Sequence, residues 1–179
     1  AVAAERYDIS PLARDSVRAL AAETGESAFL SARRGDETVC LLREEGSFPI
    51  RSFVLAEGVR FPLGVASAGL VILSMLPDAT VDRYLAGTDL VALYGPSHAP
   101  EPLRERIAAT RATGYAVNPG LVVEGSFGMG AAIFDSAGQP AWALSLTGVE
   151  SRFGTERRAE LGRLLLEHAH RVSRRLADR

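Results

Sequence analysis

Small residues at the start of one apolar segment form the first candidate ligand site. Ser67, Ala68 and Gly69 open the segment 66–76, which is apolar on nearly every side and therefore predicts a buried helix. A helix N-terminus presents N–H groups without intrahelical partners and the positive end of the helix dipole, so it binds anions. Tight packing of the helix on a sheet selects the same small residues. These residues alone leave both interpretations open.

The segment 141–147 is a second candidate. Bulky apolar residues alternate there with small or polar ones: Trp142, Ala143, Leu144, Ser145, Leu146 and Thr147. The alternation predicts a strand with one bulky face and one small, polar face. The hydroxyl groups of the polar face could orient a ligand in a pocket or point to solvent.

Residues for catalysis or metal binding are not found in suitable patterns. Cys40 is the single cysteine and lies inside a strand-like run, which predicts a buried small hydrophobe and leaves no partner for a disulfide within the chain. His168 and His170 are two apart on a predicted helix, so they point to different faces and cannot easily share a metal ion. The glycine-rich segment 125–130 lacks nucleotide-loop spacing, and no serine lies in a Gly-x-Ser-x-Gly motif. We predict no enzyme, no metal and no cofactor.

Length and composition limit the class of protein. The chain has 179 residues, of which 47% are hydrophobic and 23% charged, as in one globular domain. Twenty basic and 22 acidic residues give a net charge of -2, so this segment is not expected to bind nucleic acid by itself. No apolar run approaches the ~20 residues of a membrane span, and the first seven residues lack the features of a signal peptide. We expect a cytoplasmic location and no membrane partner.

The elements that must position the two candidate segments follow from capping residues, turns and periodicity. Ser10 and Pro11 predict the start of a helix over 10–24. Arg34-Gly35-Asp36 predicts a hairpin turn between two strands. The remaining predicted elements are strands at 26–33, 37–44, 48–55, 115–117, 130–134 and 141–147, helices at 66–76, 78–86, 102–113 and from Thr155 onward, and a loop at 90–100. Antiparallel hairpins flanked by helices predict an α+β fold with one antiparallel sheet.

Three stretches also share the order and spacing of a known family. The first, 60–69, places a proline and small residues before the glycine that opens a buried helix. The second, 107–125, contains Arg111 three residues before Gly114-Tyr115. The third, 131–152, contains a strand, an Asp-x-x-Gly turn, a strand that ends in hydroxyl residues and glycine, and then Arg152. Together they resemble the C-terminal, effector-binding region of the IclR family of bacterial transcription regulators.

The resemblance implies a GAF-like fold that holds a small organic acid between the sheet and covering loops. It implies a homodimer or tetramer, and a separate N-terminal winged helix-turn-helix that binds DNA. Residues 1–9 would then be a truncated linker from that absent module, and 10–179 the effector-binding domain. DNA would be bound only through the absent module. A GAF-type sensory module of another signalling protein is the alternative.

The resemblance also assigns candidate site residues by position. The ligand contacts map onto Ser67, Ala68, Asn118, Gly128, Ser145 and Thr147, and Phe61, Phe127 and Met129 are candidates for the pocket lining. The backbone N–H groups of Ser67 and Ala68 would hold a carboxylate. Asn118 falls where many members carry an acidic residue, which favours an anionic ligand, and Gly128 falls where many carry cysteine, which favours a larger one. We expect an acid bulkier than two or three carbons, with aromatic acids among the candidates.

Overall fold

The computed structural model describes residues 8–50 and 54–179, and its centre is one six-stranded sheet. The strands are β1 Ser27–Arg34, β2 Glu37–Glu44, β3 Arg60–Pro62, β4 Tyr115–Pro119, β5 Ser126–Phe134 and β6 Pro140–Val149. Their order across the sheet is β3-β2-β1-β6-β5-β4, and every neighbouring pair is antiparallel. The predicted hairpin is confirmed, with Gly35 and Asp36 between β1 and β2.

In the described part of the chain, six α-helices flank the sheet. They are α1 Ser10–Thr24, α2 Ser67–Ser74, α3 Asp78–Gly87, α4 Val91–Tyr94, α5 Pro100–Thr113 and α6 Thr155–Ala177. Helices α1 and α6 pack against one face, and α2, supported by α5, packs against the other. The α+β prediction with a helix-flanked antiparallel sheet is therefore confirmed.

Strand alternation assigns each residue of the central strands to one of these faces. On β6, Trp142, Leu144 and Leu146 belong to the apolar cluster beneath α1 and α6. The intervening Ser145 and Thr147 lie on the α2 side, and both are buried. The polar face of this strand is thus turned away from solvent, which settles one of the two alternatives left by the sequence.

The second helix is buried on all sides. Every residue from Ser67 to Ser74 is buried, as the uniformly apolar segment predicted. Its C-terminus is held by Arg111 of α5, whose Nε donates to the carbonyl of Ser74 at 2.7 Å and whose Nη2 donates to the carbonyl of Leu76 at 3.0 Å. The same guanidinium pairs with Asp78 at 2.6 Å, at the first residue of α3. Arg111 thereby fixes how α2 lies on the sheet.

Two predicted elements differ from the structure. The third strand was expected at 48–55, but residues 48–50 and 54–55 are not in a strand, and 51–53 lie outside the described residues. The observed third strand, β3, comes later and pairs with β2. Phe48 is held by other contacts, since its N–H donates to the Gly25 carbonyl at 3.1 Å and the Arg152 guanidinium covers its ring at 3.9 Å. The expected loop at 90–100 contains α4 and a short 3-10 turn at Pro96–His98.

The start of α1 differs in its capping residue. The helix begins at Ser10 with Pro11 in its first turn, as predicted. Its N-cap position is Ile9, and the carboxylate of the preceding Asp8 accepts the Ser10 N–H at 2.9 Å and the Ser10 hydroxyl at 2.5 Å. Among residues 8–50 and 54–179, no helix combines the length and apolar character needed to cross a bilayer.

Candidate functional site

A cavity lies between the N-terminus of α2 and the ends of the central strands. Its empty space measures about 470 Å³ when the open mouth is counted, and about 30 Å³ of this is open to the centre of a water-sized sphere, enough for about two water molecules. Seven of the nine residues singled out from the sequence line it: Phe61, Ser67, Ala68, Asn118, Phe127, Gly128 and Thr147. The structure therefore brings the two candidate segments together at one place.

Sheet register explains why three of these residues meet. Thr147 of β6 lies directly opposite Gly128 of β5, and Gly128 lies opposite Asn118 of β4. The three positions form one row across the sheet, on the face turned toward α2. Residues in one cross-strand row have neighbouring Cβ atoms, so the floor of the cavity is set by the register of two hairpins.

The N-terminus of α2 supplies the opposite wall. Ala66 has an extended backbone (φ -94°, ψ 169°), helical geometry begins at Ser67, and no side chain caps this end. The N–H groups of Ser67 and Ala68 have no intrahelical acceptor because they belong to the first turn. The cavity therefore contains exposed backbone donors at the positive end of a helix dipole.

Two buried hydroxyl groups in the cavity lack hydrogen-bond partners within the described chain. Ser31 of β1 is 1% exposed and Thr147 is 9% exposed, and neither side-chain oxygen has a partner there. Buried polar groups are nearly always paired, because an unpaired one costs on the order of 1–3 kcal/mol. These oxygens are the groups that a polar ligand or an ordered water would satisfy.

Asn118 already uses its side chain inside the protein. Its Nδ2 donates to the Val65 carbonyl at 3.2 Å, and its Oδ1 accepts the Leu121 N–H at 3.1 Å. The side chain thus ties β4 to the turn that leads into α2, and to the loop that follows β4. One Nδ2 hydrogen remains for a ligand.

The role of Gly128 differs from the one expected. A Cβ at this position would lie 3.2 Å from the Ser67 Oγ and 3.5 Å from the Ser67 Cβ. The space left by the missing side chain is therefore largely occupied by Ser67. Glycine here lets α2 approach the sheet closely, as Gly130 also does, where a Cβ would lie 3.1 Å from the Ser67 carbonyl oxygen.

Two predicted residues lie elsewhere, and a third is turned differently from what was expected. Met129 is fully buried beneath α1 and α6, so its assignment to the pocket lining is wrong. Ser145 is also fully buried but lies one row away, opposite Gly130, and does not line the cavity. Phe127 borders the cavity, yet its ring stacks on Phe153 at 5.1 Å on the opposite face, so it offers mainly backbone.

Several lining residues were missed from the sequence. They are Ser31, Thr38, Val54, Leu55, Ala66, Val122 and Ser126. The signal for Ser31 was weak, because Ser27 and Ser31 alternate with Ala28, Leu30 and Ala32 on β1 but Phe29 lies between the two serines on the same face. The apolar cover from Leu55 and Val122 comes from connecting segments, which carry no periodic pattern.

The electrostatics of the cavity come from dipoles. Among its described lining residues none carries a charged side chain, so an anion would be held by N–H and hydroxyl groups. Cys40 is 2% exposed, and burial raises the pKa of its thiol to about 12, so the thiol stays protonated. His168 is buried beside Glu23 and His170 is exposed on another face of α6. Within residues 8–50 and 54–179 no three metal-ligating side chains cluster.

Comparison with known proteins identifies the family to which this chain belongs. The family model described as "Bacterial transcriptional regulator IclR C-terminal" matches residues 1–174. The HTH-type transcriptional regulator KipR of Bacillus subtilis is 30% identical over 97% of this chain and 69% of its own length. The HTH-type transcriptional repressor AllR of Klebsiella pneumoniae is 26% identical over 93% of this chain and 61% of its own length. The chain thus spans between about 60 and 70% of these relatives.

A solved structure agrees with the sequence relatives. The Thermotoga maritima IclR structure superposes with a TM-score of 0.88 at 28% identity, covering 98% of this chain and 71% of that one. The match confirms the GAF-like fold. With the family model, it identifies the chain as an IclR-type domain and not as a GAF-type module of another signalling protein. The relatives bear the names of regulators and repressors, which supports the prediction of a non-enzymatic protein. This chain belongs to the IclR family of bacterial transcription regulators and corresponds to their C-terminal domain.

Proposed function

We propose that this domain senses a small organic acid in the cavity beneath α2 and transmits its binding to the DNA-binding part of an IclR-type regulator. The observation that carries the proposal is the pair of buried, unpartnered hydroxyl groups, on Ser31 and Thr147, that share an uncharged cavity with the first turn of α2. A carboxylate accepts hydrogen bonds from both kinds of group.

The ligand in this proposal lies with its carboxylate toward Ser67 and Ala68. Their N–H groups and the hydroxyl groups of Ser31 and Thr147 donate to the ligand, and the remaining Nδ2 hydrogen of Asn118 provides a further donor. The apolar part of the acid packs against Leu55 and the other apolar cover residues. Binding replaces unsatisfied polar groups with charge-assisted hydrogen bonds, which are about twice as strong as neutral ones.

Ligand size is set by the cover of the cavity. About 30 Å³ of the cavity is open to the centre of a water-sized sphere, which is room for the carboxylate end of an acid and no more. A bulky or aromatic acid enters if Val54, Leu55 and Val122 move outward, and these residues belong to connecting segments. Binding of glyoxylate without benzoate would therefore indicate a cavity that stays closed. Binding of benzoate would indicate that the cover residues move outward.

Regulation in this proposal works through differential affinity. The acid binds one arrangement of a homodimer or tetramer more tightly than another, and the equilibrium shifts toward that arrangement. The curated relatives carry "HTH" in their names, and DNA binding by this regulator would use a helix-turn-helix module outside the present sequence. The proposed site of action is the cytoplasm, where the bacterial chromosome lies.

Thermal unfolding of the domain against a panel of aliphatic and aromatic acids tests the proposal. An acid at about 100 times its Kd stabilises the folded state by about 2.7 kcal/mol, which raises Tm by about 5–10 °C for a domain of this size. At the same acid concentration Thr147→Val should reduce the rise to about half or less, because it keeps the shape of the side chain and deletes the hydroxyl, so that the affinity falls at least tenfold. A rise of equal size in the variant would place the ligand elsewhere.

A further inference from the structure

A second concave site lies beside β4, at the outer edge of the sheet. This groove, which we call the β4 groove, is formed by α5, β4 and the beginning of α6, and it measures about 970 Å³ when its open mouth is counted. Two residues from each element define it: Arg106, Thr110, Tyr115, Val117, Thr155 and Arg158. Because β4 is the last strand of the sheet, the groove lies along an open edge.

The β4 groove contains two arginines and no acid among its described lining residues. Neither Arg106 nor Arg158 lies within 4.0 Å of a carboxylate of the described residues, in contrast to Arg152 and Arg157, which share Glu26. The groove is therefore locally positive, although the chain as a whole has a net charge of -2. Positive charge without a carboxylate partner favours an anionic ligand.

Each of the two guanidinium groups is also partly withdrawn from water. The Nη2 of Arg106 and the Nε of Arg158 are buried without a hydrogen-bond partner in the described chain. Burial lowers the pKa of Arg106 from its ordinary value, although the group stays protonated. Partly desolvated donors gain more from an incoming anion than fully hydrated ones do, because less water must be displaced.

The remaining walls define the rest of the ligand. Helix α6 begins at Thr155 after Gly154, and no side chain caps that end, so its first N–H groups face the same region. The Thr110 hydroxyl donates to the Arg106 carbonyl at 2.7 Å, so its hydrogen is not available to a ligand. Tyr115 and Val117 provide an apolar floor. The groove thus combines a cationic rim with an apolar base.

We propose that the β4 groove is a second ligand site, distinct from the cavity beneath α2, that binds an organic anion with a carboxylate or phosphate group and an apolar body. The anionic group lies between Arg106 and Arg158, near the start of α6. The apolar body lies on Tyr115 and Val117. The two sites are on opposite sides of β4, since Asn118 points into the cavity and its neighbour Val117 lines the groove.

Titration of the domain labelled with 15N at arginine and at the backbone tests this site directly. The probes are benzoate, phenyl phosphate, inorganic phosphate and the neutral benzyl alcohol, and the Thr147→Val background weakens binding in the cavity. We expect saturable shifts of the Arg106 and Arg158 Nε–Hε signals with benzoate or phenyl phosphate. Whichever of the two binds more tightly identifies the anionic group.

Variants of the two arginines distinguish binding in the groove from binding at another surface. The R106Q/R158Q double variant should weaken binding at least tenfold, as followed by the backbone amide of Val117. Arg104→Gln is the matched control, because Arg104 lies on the same helix but pairs with Asp82 at 2.7 Å outside the groove. Absence of saturable shifts at both arginines, or unchanged affinity in the double variant, would overturn the proposal. Equal binding of benzyl alcohol would contradict its anionic part, and equal binding of inorganic phosphate its apolar part.

Discussion

The Asn118 side chain donates to the Val65 carbonyl at 3.2 Å and so joins strand β4 to the turn that leads into α2. The two residues are 53 positions apart, and both are buried. Together with the close packing of Ser67 on Gly128 and Gly130, this contact holds the helix end that forms the wall of the cavity near its floor. The side chain therefore influences both stability and ligand affinity.

Asn118→Ala should lower the free energy of unfolding by about 1–3 kcal/mol, because the buried Val65 carbonyl loses a hydrogen-bond donor. Asn118→Asp keeps the acceptor for Leu121 and replaces the donor by a carboxylate. This variant should weaken the affinity for organic acids more than Asn118→Ala does, through repulsion between like charges in the cavity. Urea unfolding and calorimetric titration give the two quantities. Tighter acid binding by Asn118→Asp would contradict the proposed orientation of the ligand.

Arg111 is expected to stabilise the fold more than Arg104, which lies on the same helix, α5. It bonds to two carbonyl groups at the end of α2 and to Asp78, whereas Arg104 makes only an exposed pair with Asp82. Arg111→Ala should lower the free energy of unfolding by about 2–4 kcal/mol, since two carbonyl groups lose charge-assisted donors. Arg104→Ala should cost at most about 1 kcal/mol, as for other exposed pairs. Similar losses in the two variants, measured by urea unfolding, would show that Arg111 does not anchor α2.

Glu26 is a buried carboxylate that holds three segments together. It is 2% exposed and accepts from Arg152 and, at 2.8 Å, from Arg157, and both arginines also donate to the Thr24 carbonyl. Glu26→Gln should lower the free energy of unfolding by about 3–5 kcal/mol, because two partly buried cations lose their counter-charge. Glu160→Gln is the control, since Glu160 pairs with Arg163 on the exposed surface of α6. If both glutamine variants unfold at the same urea concentration, the buried cluster contributes no more than a surface pair.

Acidification should destabilise the domain through His98. Its side chain is 2% exposed, and burial, assisted by the charge of Arg106, lowers its pKa below the ordinary value of about 6.5. The unfolded state then binds more protons than the folded state, so the stabilising contribution is present above pH ~6.5 and is lost as pH falls below it. The limiting slope for one proton is about 1.4 kcal/mol per pH unit.

His98→Gln should flatten the dependence of the unfolding free energy on pH between about 7 and 5. His170→Gln serves as the control, because His170 is exposed. The measurement is urea unfolding at half-unit pH intervals. An unchanged slope in His98→Gln would assign the dependence to other groups.

Most of the helices and strands could be predicted from the sequence, because each has a strong local pattern. Alternation on β6 separates Trp142 and Leu144 from Ser145 and Thr147, and the structure places the two sets on opposite faces. The same rule applied to β5 would have assigned Met129 to the face away from Gly128, since side chains alternate residue by residue. The prediction that Met129 lines the pocket did not use that alternation, which explains the error.

Other parts of the site depend on contacts between distant segments. Ser67 fills the space that Gly128 leaves open, and only the packing of α2 on β5 reveals it. The cover of the cavity comes from Leu55 and Val122, which lie in segments without periodicity. The expected strand at 48–55 failed for a related reason, because Phe48 is held by Arg152 and by the Gly25 carbonyl from other parts of the fold.

Calorimetric titration of the best acid from the thermal panel tests the central claim most directly. It is carried out on the unmodified domain, on Ser31→Ala and Thr147→Val, and on Ser16→Ala, a control in α1 that is buried away from the cavity. We predict that the affinity of the cavity site is lowered at least tenfold by Thr147→Val and by Ser31→Ala and is unchanged in Ser16→Ala. Equal affinity in all four proteins would contradict the assignment of the cavity beneath α2 as the effector site.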